Sequence, residues 1–78
     1  MPKVFEWKGY KFFFFANEGD PREACHVHIR KGEQVAKFWV DPDVQLEWSY
    51  DMSSSELNKL GTVVVEHADD IRRKWNEF

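Results

Sequence analysis

The sequence predicts an α+β domain of two layers, a mostly antiparallel sheet of about five strands with one C-terminal helix packed on its apolar face. Three observations carry this. Short segments of alternating or aromatic-rich pattern, each bounded by Gly, Pro or Asp, run from residue 3 to residue 50. One stripe of helical period fills most of the chain beyond residue 53. A length of 78 residues allows a single small core, so 1–78 is read as one domain.

Composition narrows the class. Aromatic residues make up 17% of the chain, enough to build a core despite 32% charged residues. The net charge of −3 argues against nucleic-acid binding through bulk charge, though not against a local basic patch. One Cys excludes an internal disulfide framework and suits a reducing cytoplasm. The first ten residues contain no apolar run, so no signal peptide is expected, and the five apolar residues 12–16 are far too short for a membrane span. A cytoplasmic protein without membrane association is therefore expected.

Strands are expected at about 3–7, 10–16, 25–30, 33–40 and 44–50, and the helix at about 54–76. Lys8-Gly9 joins the first two strands as a two-residue turn, with Gly where a type I′ turn needs positive φ. Pairing Trp7 with Tyr10 then sets Glu6 opposite Lys11 and Phe5 opposite Phe12, both favourable cross-strand pairs. The second strand has Phe on both faces, as a central or doubly covered strand does. Residues 17–23, rich in Asn, Gly, Asp and Pro, form a loop. Lys31-Gly32 is read as the next turn. Pairing Arg30 with Glu33 places His28 opposite Val35 and His26 opposite Lys37. After Asp41-Pro42-Asp43, an alternating strand pairs Phe38 with Leu46, Lys37 with Glu47 and Ala36 with Trp48. Cys25, Val27, Ile29, Ala36, Phe38, Leu46, Trp48 and Tyr50 thus share the core face. His26, His28, Arg30, Val35, Lys37, Trp39 and Glu47 share the other. Ser53 and Glu56 form a capping box, with Met52 and Leu57 as its hydrophobic staple. Leu57, Leu60, Val64, Ile71 and Trp75 give the helix its apolar stripe.

Titratable chemistry concentrates on the strand His26-Val27-His28-Ile29-Arg30, where His26, His28 and Arg30 point one way, successive neighbours about 7 Å apart. Two histidines are too few for a closed zinc site. Cys25 points to the opposite face and His67 lies on the helix, so neither a metal nor another cofactor is assigned. Two imidazoles titrating near neutrality, with Arg30 and Lys37, suit general acid–base cleavage of a phosphodiester without a metal. Trp39 on that face could stack a base, which makes RNA a candidate ligand. The competing reading is a non-catalytic module that uses the same face to dock a partner protein or a second copy, since an exposed Trp beside Val35 suits an interface.

Several segments together carry a family resemblance: Met1-Pro-Lys-Val-Phe; the run from Tyr10 to Glu23, reading Tyr-Lys-Phe-Phe-Phe-Phe-Ala-Asn-Glu-Gly-Asp-Pro-Arg-Glu; His26-Val-His28-Ile-Arg30; Ala36-Lys-Phe-Trp-Val; and Lys74-Trp75 at the helix end. The chain resembles the small bacterial domain of unknown function 4160 family over nearly its whole length. Ala24-Cys25 stands where Pro-Pro is common in that family. The family has no established activity. Its members are often encoded beside another small uncharacterised protein, in an arrangement like toxin–antitoxin pairs. The resemblance therefore implies a small partner protein encoded nearby, and either an RNA-directed toxin or a protein-binding module. It also implies that Asn17, Glu18, Pro21, Arg22 and Glu23 are motif positions beside His26 and His28. The expected site is accordingly His26, His28, Arg30 and Lys37 as catalytic groups, with Asn17, Glu18, Arg22, Glu23 and Trp39 as binding groups.

Overall fold

A computed structural model describes residues 3–15 and 23–78. Its elements are β1 (Lys3–Trp7), β2 (Tyr10–Phe13), β3 (His26–Lys31), β4 (Gln34–Trp39), β5 (Gln45–Tyr50), α1 (Ser54–Glu66) and α2 (Ala68–Glu77). The strands form one open antiparallel sheet in chain order, β1-β2-β3-β4-β5. A sheet with helices against one face is the α+β arrangement that the pattern predicts. The first hairpin lies beside β3.

Local chemistry sets the turns. Lys8 and Gly9 both take positive φ, 47° and 85°, as a type I′ turn requires, and Trp7 pairs with Tyr10, Glu6 with Lys11 and Phe5 with Phe12. The second hairpin differs from expectation. Its turn is Gly32-Glu33, with positive φ at Gly32 but not at Glu33, the pattern of a type II′ turn. Lys31 therefore stays in the ladder opposite Gln34. Arg30 faces Val35 rather than Glu33, His28 faces Lys37 and His26 faces Trp39. A shift of this even size changes the partners but keeps every side chain on its face.

The β4–β5 pair holds a larger correction. Phe38 pairs with Leu46 as expected, but Lys37 then pairs with Trp48, Ala36 with Ser49 and Val35 with Tyr50. Glu47 is an extra residue without an opposite, a β-bulge on β5. Beyond it the alternation inverts. Trp48 and Tyr50, expected on the core face, lie on the face of His28 and Lys37 instead. Paired residues in a ladder share a face, so the ladder itself dictates this.

The expected single helix is two. Ser53 and Glu56 close the capping box, with Glu56 N–H on Ser53 Oγ at 3.1 Å and Ser53 N–H on Glu56 Oε1 at 3.3 Å. The helical run is interrupted at His67, whose φ of −107° and ψ of 11° leave the α well. Two local causes coincide there. The His67 ring stacks on Phe5 at 4.4 Å, and its Nδ1 bonds the Val63 carbonyl at 2.9 Å, one turn back. The preceding Val63-Val64-Val65 run also has weak helix propensity. The core joins Phe12, Val27, Ile29, Ala36, Phe38 and Val40 of the sheet side to Leu60, Val63, Val64, Ala68 and Ile71 of the helices. Arg72 ties α2 to the β4–β5 connection through Asp41 (Nε to Oδ1, 2.6 Å) and the Val40 carbonyl (3.3 Å).

Candidate functional site

The uncovered face of the sheet is assembled from three cross-strand rows. One runs Glu6, Lys11, Arg30, Val35, Tyr50. The next runs Lys3, Phe13, His28, Lys37, Trp48. The third runs His26, Trp39, Gln45. Cations and aromatic rings are interspersed across the face.

The structure brings His26, His28, Arg30, Lys37 and Trp39 together on this face, as the alternation predicts. It departs from expectation on exposure. The two histidines, expected to face water or a ligand, are buried, at 0% and 4% exposure. Aromatic neighbours account for this. Trp39 and Trp75 stand 5.2 and 4.9 Å from the His26 ring. Phe13, Phe15 and Trp48 stand 5.7, 3.9 and 6.4 Å from that of His28. The two imidazoles meet edge to face at 5.2 Å, and His26 Nδ1 bonds the Ala24 carbonyl at 3.0 Å. His26 is thus held between rings and backbone. His28 lies at the floor of a hollow of about 150 Å³ lined by Phe13, Phe15, Arg30, Val35 and Trp48. Phe15 and Trp48, 39% and 43% exposed, form its accessible walls, and Tyr50 is 67% exposed in the row beside it.

Among the described residues, Lys11, Arg30 and Lys37 take part in no ion pair, whereas Lys3, Arg72, Arg73 and Lys74 all do. Lys11 and Arg30 are direct cross-strand partners, a like-charge pair that costs stability. Glu6, the neighbour that could neutralise Lys11, is bonded to Lys3 at 3.0 Å. Lys37 holds its ammonium 4.4 Å from the Trp39 ring centroid, and the Trp39 indole N–H donates to Glu47. Of the loop residues expected to bind, Asn17, Glu18 and Arg22 lie outside the described residues, and Glu23 is exposed before β3. Among the described residues no three His, Cys, Asp or Glu side chains are grouped to hold a metal ion.

Sequence reasoning missed Lys11, Phe13, Phe15, Trp48 and Tyr50 as members of this face. Lys11, Phe13 and Phe15 were within reach, because the alternation of β2 carried over to β3 puts Lys11 beside Arg30 and Phe13 beside His28. Trp48 and Tyr50 were not, because no Gly or Pro marks the bulge at Glu47.

The fold and this face define a small α+β domain whose sheet keeps one face open, basic and aromatic. A family model described as a domain of unknown function, DUF4160, matches residues 9–76 of the 78, and the chain belongs to that family. No curated protein and no solved structure matches it. No helix among the described residues is long and apolar enough to cross a membrane.

Proposed function

We propose that this chain binds single-stranded RNA on the open face of its sheet, as one component of a bacterial, cytoplasmic toxin–antitoxin-like pair whose partner is a small protein encoded beside it. The observation that carries the RNA reading is the interleaving of the cations Lys11, Arg30 and Lys37, outside any ion pair among the described residues, with the exposed rings of Phe15, Trp48 and Tyr50. Exposed rings stack any base, and ammonium and guanidinium groups track phosphates. The hollow above His28 has about the volume that accepts one benzene-sized ring, so it suits a single splayed base between Phe15 and Trp48. The two-protein setting rests on the family resemblance alone.

Binding is better supported than cleavage. A scheme with two imidazoles needs one to take the 2′-hydroxyl proton and the other to protonate the departing 5′-oxygen. Among the described residues His28 borders an opening, while His26 would first have to leave its contacts with Trp39 and Trp75. Fluorescence anisotropy of a labelled RNA of about ten nucleotides, within the span of one single-strand-binding domain, tests the proposal, with the same mixtures run on a gel to detect cleavage. Binding that weakens on Trp48→Ala and on Arg30→Ala supports it. Binding that is absent, or indifferent to both changes, overturns it. A second reading, a docking face for the partner protein, is favoured by the exposure of two large rings, Trp48 and Tyr50. It takes precedence if RNA binding fails while the co-expressed partner co-purifies in a Trp48-dependent way.

A further inference from the structure

A second group of cations lies on the other side of the sheet from Lys11, Arg30 and Lys37. Tyr10 and Lys31 stand two residues from Phe12 and Ile29 of the core, so they share the helix-covered face, at its turn end. Between this end of the sheet and the first turn of α1 opens a cleft of about 410 Å³, bordered by Trp7, Lys8, Tyr10, Lys31, Glu56 and Lys59. That volume falls within the ~300–1,000 Å³ of small-molecule sites.

The three lysines come from three elements, the β1–β2 turn, the end of β3 and α1. Among the described residues none of them takes part in an ion pair. Two are held without being neutralised. Lys8 Nζ stands 5.2 Å from the Trp7 ring centroid and Lys31 Nζ 4.7 Å from that of Tyr10. A ring attracts an ammonium but leaves its charge intact, whereas a carboxylate cancels it. The one carboxylate at the cleft is already engaged: Glu56 accepts from the Tyr10 hydroxyl, from Gln34 Nε2 at 3.1 Å and from Ser53 N–H at 3.3 Å. Three ammoniums against one carboxylate leave a surplus of two positive charges, in a chain whose net charge is −3. Like charges gathered in one place cost stability, so folding alone gives no reason for them.

We infer that this cleft binds a phosphate monoester, its phosphoryl group held by Lys8, Lys31 and Lys59. A monoester carries about −1.5 to −2 charge near neutrality, which matches the surplus, whereas a diester carries only one. The exposed Ser55 hydroxyl borders the same cleft and supplies a neutral donor. The end of α1 adds a partial positive charge, but its capping box is closed by Ser53 and Glu56, and the ammoniums do the holding. This inference does not rest on RNA binding at the open face.

Nitrogen-15 NMR spectra of the protein, titrated with methyl phosphate to about 20 mM at constant ionic strength, test it. Saturable shifts are expected at the amides of Lys8, Gly9, Lys31 and Ser55 and none at Lys37 or Trp48, with a dissociation constant on the order of 1 mM. Dimethyl phosphate, with half the charge, should bind about fivefold weaker or less tightly still. Lys31→Gln and Lys59→Gln should each weaken binding roughly three- to fivefold, and the double variant about tenfold, with the open-face resonances unchanged. Arg73→Gln removes the same charge from α2, outside the cleft, and should have no effect. The inference is overturned by the absence of a saturable shift, by equal binding of the two esters, or by binding indifferent to both lysine changes. RNA with a 5′-phosphate or a 5′-hydroxyl separates the sources of the ester. A Lys59-dependent gain in affinity from the phosphate assigns it to an RNA end, and methyl phosphate binding without that gain assigns it to a small molecule. Loss of RNA binding with methyl phosphate binding retained supports this inference and counts against the proposed function alone.

Discussion

The helix-covered face of the sheet and the open one both bury side chains, by different means. Val27, Ile29 and Phe38 are closed over by Leu60, Val64 and Ile71, apolar groups that need only shape and volume. His26 and His28 are closed over by Phe13, Trp39, Trp48 and Trp75, flat rings that leave edges and gaps between them. The covered face serves stability. On the open face like charges sit side by side at Lys11 and Arg30, and half-exposed rings remain uncovered, a local expense that stability alone does not explain.

The largest expected effect tests this division from the covered side. Ile29→Ala or Leu60→Ala, each removing a fully buried aliphatic group, should cost about 2–5 kcal/mol in urea unfolding. At this chain length such a loss is a large part of the total stability. Next comes His26→Ala, expected to cost roughly 2–4 kcal/mol because the ring fills the space between Trp39 and Trp75. His26→Phe should restore most of that and leave RNA binding intact. RNA binding abolished by His26→Phe in a folded protein would show that the division between the histidines is wrong.

Trp48→Ala is expected to do the reverse. Its stability change should stay within about 1 kcal/mol, while RNA affinity falls by roughly 1–3 kcal/mol, about tenfold or more. Lys37→Ala should weaken binding to all sequences alike and flatten the dependence of log affinity on log salt by about 0.7, the value for one phosphate contact to a single strand.

The smallest effect concerns the link between the first hairpin and α1. The Tyr10 hydroxyl donates to Glu56, which holds the Glu56 carboxyl below its ordinary range and raises the Tyr10 phenol. For Glu56 the unfolded chain binds protons more readily, so its contribution is present above the ordinary carboxyl range and is lost as pH falls through the lowered value. For Tyr10 the folded chain holds its proton longer. That contribution is complete below the ordinary phenol range and is lost as pH climbs through the raised value. Urea midpoints should therefore decline at both extremes. Tyr10→Phe should flatten both limbs without altering the open face, and unchanged limbs would remove this pair as their cause.

Much of the fold could be read from the sequence because one-sided burial leaves a periodic trace. The alternation of residues 25–30, the stripe from Leu57 to Trp75 and the Ser53–Glu56 box each report a local physical need. Three things left no such trace. The turn slipped from Lys31-Gly32 to Gly32-Glu33, because one Gly serves either a type I′ turn at its second position or a type II′ turn at its first. The break at His67 depends on Phe5, a partner distant in the chain. Burial of the two histidines depends on rings from β2, β4, β5 and α2, and alternation within β3 says only which way they point, not what meets them.

Because β5 carries one residue more than β4 can pair, absorbing that surplus as a bulge rotates the rest of the strand relative to a regular ladder. Were Glu47 instead paired with Lys37 in a regular ladder, Trp48 and Tyr50 would keep their chemistry yet turn inward to the helices, and Ser49 would come out in their place. The character of the β5 end of this face is therefore held by how one surplus residue is accommodated, and the side chain of that residue is almost incidental to it. Removing Glu47 would simply complete the ladder with Trp48 opposite Lys37 and both rings outward, so the face tolerates loss of the surplus residue but not loss of the bulge while that residue stays.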